Sequence, residues 1–195
     1  MIPTCPNPIV CSTDNGLSSI REFNIPFVEC NFWKEVDDFI TWILKSNEAK
    51  KFDSFILDDL TEAAEQILKE EKPKTKNIKQ AYGTLNDCIQ GLIRDLRTIK
   101  DKSVVLICKQ ERFINEMNGA ISYGPLIPGK AVNQQLCNLL GEIYHTETFF
   151  EQATGVTHEV LRTKANDQYE AGSRSGKLFE LEPANLGYIF QKVMS

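Results

Sequence analysis

The chain has 195 residues, 42% of them hydrophobic and 25% charged, with a formal net charge of −5. That length suits one domain, or one with a small appendage, and can bury a substantial core. It has no apolar run near the ~20 residues that span a bilayer, no C-x-x-C pair among six cysteines to suggest zinc, and an acidic balance that disfavours general binding to phosphate backbones.

The first residues, MIPTCPNPIVCSTDNG, lack the positive start and apolar stretch of a signal peptide. Pro8 to Thr13 reads as a short β-rich run that stops at the turn Asp14-Asn15-Gly16. Ile25 to Cys30 reads as a second strand. A helix follows, with Asn31 as the expected N-cap and Trp33, Val36, Phe39, Ile40, Ile43 and Leu44 on one buried face. Phe52 to Leu57 is an apolar strand ending in Asp58-Asp59, and Thr61 to Glu70 is helical. The charged, proline-broken stretch 69–77 reads as an exposed loop.

A second long helix is expected over Ile78 to Ile99, with Leu85, Cys88, Ile89, Leu92, Ile93 and Leu96 inward. Val104 to Cys108 is a continuous apolar run, as in a strand covered on both faces. Arg112 to Gly124 reads as an irregular excursion or hairpin, 124–129 as a loop, and Ala131 to Leu140 as a short helix. Glu142 to Phe149 and His158 to Lys164 form an expected antiparallel pair through Ala153-Thr154-Gly155. Pro183 to Met194 reads as a closing helix with Pro183 in its first turn. Cys11, Cys30 and Cys108 sit in apolar runs and are expected to be free, buried thiols. A reducing, cytoplasmic setting follows as an expectation.

Strands alternating with helices, then terminal strands, predict an α/β sheet with an antiparallel extension. The expected organisation is a single domain over 1–195. Its parallel core covers 1–140, with antiparallel strands and a closing helix over 141–195.

Four constellations could carry chemistry. In the first, an apolar strand delivers Asp58, with Asp59 behind it, to the C-terminal edge of a parallel sheet, where ligands bind in open α/β folds. The structural alternative is a strand ending in a polar turn, with Asp59 capping the next helix. The second is Asp14, an acid at a second strand end that could orient a water, or simply the first residue of a turn. The third is Gly124-Pro125-Leu126-Ile127-Pro128-Gly129-Lys130-Ala131, which matches G-x-x-x-x-G-K but ends in Ala. Such a loop works through successive backbone N–H donors, and Pro125 and Pro128 have none. Lys130 is therefore a weak phosphate candidate. The fourth is a basic, loop-rich segment carrying Arg162, Lys164, Arg174 and Lys177. It could touch phosphates of a nucleotide or of single-stranded DNA, or form a solvated rim.

In order and spacing, these segments resemble the phage nucleotide-binding proteins of the RecA-like ATPase class, including phage single-strand annealing ATPases. The matching pieces are Pro6 to Leu17, Phe52 to Glu62, Val104 to Cys108, Pro125 to Lys130 and Tyr169 to Leu178. The resemblance implies a three-layer, mostly parallel sheet, with Asp58 in the place of the Walker-B acid and Asp14 in that of the acid after the preceding strand. In that family a strand and a G-x-x-x-x-G-K-[ST] loop precede the segment matching Pro6, and Met1 falls just past them. The expectation is thus a RecA-like sheet without its central P-loop strand, its gap closed by the neighbouring strands Val104–Cys108 and Glu142–Phe149 or by self-repair. Asp14, Asp58 and Asp59 would be vestigial, and no cofactor or metal is expected.

Three functions follow as expectations. The preferred one is a pseudo-ATPase that binds a protein complex of phage or host, as an inhibitor of a host defence such as CRISPR interference or a modulator of recombination. The second is an ATPase that binds ATP and magnesium by another route, through Lys130 or Arg174. The third is a single-stranded DNA-binding accessory. A homo-oligomer would fit the RecA-like class.

Overall fold

The apolar runs form strands, and the residues spaced three and four apart form helices, much where their periodicities put them. The computed structural model describes residues 1–195, the side chains at 130, 131 and 134 excepted. In chain order β1 is Pro8–Ser12, β2 Phe27–Glu29, α1 Trp33–Lys45, β3 Ser54–Asp58, α2 Leu60–Glu71, α3 Ile78–Leu96 and β4 Ser103–Ile107. Then come β5 Gln110–Ile114, β6 Ile121–Pro125, α4 Lys130–Leu139, β7 Glu142–Ile143, β8 His145–Glu151, β9 Val156–Arg162, β10 Gly172–Ser173, β11 Leu181–Pro183 and α5 Leu186–Met194.

Two compact units result. One comprises Pro6–Lys109 and Pro125–Asn138; the other comprises Met1–Cys5, Gln110–Gly124 and Leu139–Ser195. The first holds a four-stranded parallel sheet in the order β2-β1-β3-β4. Ile9 lies opposite Phe55, and Phe55 opposite Val104. Val10, Cys11, Ile56 and Leu57 are buried, as expected of strands covered on both faces. Val36, Phe39, Ile40 and Ile43 of α1, Ala63, Ala64, Ile67 and Leu68 of α2, and Leu85, Ile89, Leu92, Ile93 and Leu96 of α3 supply the helical side of the core. A fully buried Leu or Ile stabilises by roughly 1.5–3 kcal/mol, so these stripes dominate the unit's cohesion. The architecture is the α/β one of a RecA-like fold, a parallel sheet flanked by helices with antiparallel strands added.

The second unit is mostly antiparallel. Strands order β11-β9-β8, with His145 opposite Arg162 and Phe149 opposite His158. β5 and β6 form the hairpin that the sequence left as one of two readings for 112–124.

Several local expectations change. The residue before α1 is Phe32 and not Asn31; Glu35 folds back to accept the N–H groups of Asn31 at 2.6 Å and Phe32 at 3.2 Å. A carboxylate three residues into the helix has thus replaced the amide cap. Leu44 is 40% exposed because it falls off the stripe that Val36, Phe39, Ile40 and Ile43 define. Pro183 does not open the last helix. It ends β11, paired with Val160, and Asn185 caps α5 by accepting the Tyr188 N–H at 3.0 Å. Among the described residues the cysteines form no disulfide; Cys11 and Cys30 are buried with their sulfurs 3.3 Å apart, whereas Cys108 is only half-buried.

The expected closure of β4 onto Glu142–Phe149 does not occur. β4 is the edge of its sheet, with β3 its hydrogen-bonded neighbour. β7 and β8 meet their backbone needs in antiparallel pairs with β10 and β9.

Candidate functional site

β1 and β3 are parallel neighbours and end together, with Ser12 opposite Asp58. The chain leaving β1 stays bound to the end of β3, because the Thr13 N–H donates to the Asp58 carbonyl at 2.7 Å. The peptide between Asp58 and Asp59 is cis. Thr13 then clasps Asp59 through its hydroxyl, which accepts the Asp59 N–H at 2.8 Å and donates to the Asp59 carbonyl at 2.7 Å. The acids that the sequence placed at two strand ends therefore stand at one edge, the C-terminal edge where α/β sheets bind ligands.

Asp58 closes β3, half-buried. Burial pushes its carboxyl up to about 6, and the charges of Asp14 and Asp59 push in the same direction. Asp59 is 4% exposed and takes the structural role that the sequence offered as an alternative. Its Oδ1 accepts the Glu62 N–H at 2.6 Å, capping α2. Burial raises its pKa; the Glu62 N–H and the nearby Lys109 ammonium pull the other way. Asp14 folds back on its own turn, where Oδ1 accepts the Gly16 N–H at 2.8 Å. A Cβ at Gly16 would lie 2.9 Å from both Asp14 carboxylate oxygens, so glycine leaves the carboxylate its place.

The sequence reading missed Lys109 and Thr61. Lys109 follows β4 as Asp59 follows β3. Its ammonium pairs with Glu62 in a short contact and stands 3.8 Å from Asp59 Oδ2. The bond to Glu62 raises the Lys109 pKa. The Thr61 hydroxyl accepts the Lys109 N–H at 3.0 Å and donates to the Leu126 carbonyl at 2.8 Å. The signal was available: a lysine two residues beyond an apolar strand reaches the same edge as the acids.

The edge gathers a carboxyl whose pKa burial raises, a second carboxylate fixed as a helix cap, a third in a turn, and one ammonium. Among the described residues no group of three or more His, Cys, Asp or Glu could hold a metal ion. Magnesium is bound through one or two carboxylates plus substrate phosphates. With Asp59 committed to Glu62 and Lys109, Asp58 and Asp14 are the carboxylates left to face a phosphate-bound cation.

The G-x-x-x-x-G-K segment joins β6 to α4. β6 runs into Gly124 and Pro125 from a two-stranded sheet separate from the parallel one, and α4 begins at Lys130. Gly129 has φ +93°, and a Cβ there would meet the Tyr82 ring at 3.1 Å. The Lys130 side chain lies outside the described residues.

The four basic candidates belong to the second unit and differ in kind. Arg162 is 9% exposed and ion-paired with Glu147 at 2.9 Å and Glu180 at 2.6 Å, so its charge is spent inside the fold. Lys177 is exposed and donates to the Val193 carbonyl at 3.1 Å. Lys164 and Arg174 are exposed.

No helix among the described residues is long and apolar enough to cross a membrane. No curated protein matches the chain. The sequence pattern of the AAA_24 family, described as an AAA domain, matches residues 1–175. Strand-end carboxylates at the C-terminal edge of a helix-flanked parallel sheet agree with that match, and the chain belongs to the AAA_24 family of AAA domains, an ATPase-like, nucleotide-binding class.

Proposed function

We propose that this AAA domain works by binding a protein partner along the β4 edge, and that its own carboxylates do not turn over nucleotide. The observation that carries the reading is the character of β4. Ser103 donates its N–H to Asp53 across the β3 pair at 2.9 Å. In a parallel ladder alternate residues face the same neighbour, so Ser103, Val105 and Ile107 face β3. Val104 and Leu106 then direct their N–H and C=O groups outward. The strand SVVLI carries no charge and no proline, and Val104 to Ile107 are half-buried. Native sheets blunt such edges with charges, bulges or prolines. An extended apolar segment of a partner would pair with β4 by strand addition.

The commitments of the site carboxylates support the same reading. Asp59 is a helix cap beside Lys109, and Asp14 is turned onto its own loop by the Gly16 N–H. In the phage setting that the sequence resemblance implies, the partner is a replication, recombination or host-defence complex.

The variant Leu106→Pro tests this. It removes an outward N–H, and a proline on the solvent side of an edge strand is tolerated. Tagged wild-type protein is expected to retain a defined partner complex that Leu106→Pro loses while keeping its circular dichroism. Equal retention by both proteins would overturn the reading.

A second reading has its own support. Asp14 and Asp59 are both close enough for their charges to act on Asp58, an arrangement suited to an edge that faces a nucleotide. Titration with ATP and magnesium decides it: tight binding lost in Asp58→Ala would replace the partner-only reading with an ATP-binding one.

A further inference from the structure

Away from Lys109, on the β2 side of the parallel sheet, a cavity of about 370 Å3 opens between the ends of β1 and β2 and the 3-10 segment Leu17–Phe23. Its lining includes Ser12, Asn15, Arg21, Asn24, Phe27 and Glu29. Three observations set it apart from a surface dent. Ser12 is 1% exposed, lines the cavity, and its hydroxyl has no hydrogen-bond partner. A buried hydroxyl left unpaired forfeits its hydration with nothing in return, and such a group in a folded protein calls for an explanation. Arg21 and Glu29 bring opposite charges to the same cavity, and neither has an ion-pair partner among the described residues. Phe27, an aromatic at 51% exposure on a strand, contributes apolar wall.

The volume falls in the range of small-molecule sites, which combine apolar walls with a few convergent polar groups. The geometry points to a ligand site here for a small ampholyte of the nucleoside monophosphate class. Arg21 supplies a forked donor for an anionic group. Glu29 is an acceptor for paired N–H donors such as an amino-bearing base edge. The Phe27 ring offers a face for a flat body. Asn15, Asn24 and the Ser12 hydroxyl add uncharged donors and acceptors to the same lining, the chemistry that a sugar's hydroxyls need. A zwitterionic amino acid would use the two charges but leave these amides and the hydroxyl without work. The site is independent of the partner-binding reading, because it involves neither β4 nor the Asp58–Lys109 edge.

Calorimetric titration of the whole chain with AMP, CMP, GMP and UMP, without magnesium, tests the assignment. At least one is expected to bind saturably with a Kd below about 1 mM. Arg21→Gln and Glu29→Gln, both at exposed positions, are each expected to weaken that binding about ten-fold or more, the loss of one charged hydrogen bond. Ser12→Ala separates a ligand role from a structural one. It removes an unpaired buried hydroxyl, so the free protein is expected to melt at the same or a higher temperature while affinity falls. No saturable binding of any of the four overturns the site. Binding that survives the Arg21 and Glu29 changes but is lost in Asp58→Asn also overturns it, since the nucleotide would then sit at the carboxylate edge.

Discussion

The Thr13 hydroxyl donates to the carbonyl of Asp59 and accepts from the N–H of the same residue, at 2.7 and 2.8 Å. Through these two hydrogen bonds the exit of β1 is locked to the exit of β3, 46 residues later. Both residues are buried, so water is poorly placed to replace Thr13. Thr13→Val keeps the shape and removes both bonds. It is expected to destabilise the protein by about 2–3 kcal/mol, chiefly through the stranded Asp59 N–H. Thr13→Ser is expected to cost much less. Urea unfolding midpoints of the two variants check the difference.

Asp58 should make stability depend on pH in a definite direction. Its folded-state carboxyl titrates at about 6, above the ordinary value of 3.8. A raised acid binds its proton more tightly in the folded state, so stability falls as pH rises from about 4 to 6 and the cost is fully present above that window. Asp58→Asn removes a charge that burial penalises. It is expected to stabilise by about 1–2 kcal/mol at pH 8, after discounting for partial solvent access, and by nothing near pH 4. A gain independent of pH would show that Asp58 is not the titrating group.

Asp59 acts as a helix cap whatever else it does. Asp59→Ala is expected to cost about 1 kcal/mol by leaving the Glu62 N–H uncapped, whereas Asp59→Asn keeps an acceptor and most of the stability. Thermal denaturation at neutral pH separates the two.

In the second unit, Arg162 is expected to matter for folding and not for nucleic acid. Arg162→Met leaves Glu147, whose side chain is 20% exposed, without its cation and should cost about 3 kcal/mol or more. Lys164→Gln and Lys177→Gln should change stability by no more than ~0.5 kcal/mol. If this unit binds single-stranded DNA, those two surface changes will lower affinity and flatten its salt dependence in a gel shift.

Much of the fold was legible because local pattern and tertiary environment agreed. The runs at Pro8–Thr13, Phe52–Leu57 and Val104–Cys108 are strands, and the stripes of α1 and α3 face inward, because apolar periodicity is itself the cause of burial. Element ends were less legible. Glu35 displaced Asn31 as the cap of α1, and Pro183 went to β11, because both outcomes depend on which partner is within reach.

The candidate site divides along the same line. The two acids after β1 and β3 could be read directly, since strand direction sends both to one edge. The arrival of Lys109 at that edge could have been read in the same way, but the clasp of Thr13 on Asp59 and the pairing of Arg162 with two glutamates could not. Each joins residues far apart in the chain, and sequence carries no distance between them.

The order of residues alone determined that this chain builds a parallel α/β core with carboxylates at its strand ends, because side-chain periodicity and strand polarity are local properties. Only the tertiary structure decided that the sheet ends at β4, that Asp59 is occupied as a cap, and that a buried Ser12 hydroxyl lines a cavity with Arg21 and Glu29. Backbone pairing, proton affinity and solvent exclusion are set by what folding brings within a few ångströms, and that is a property of the assembled chain.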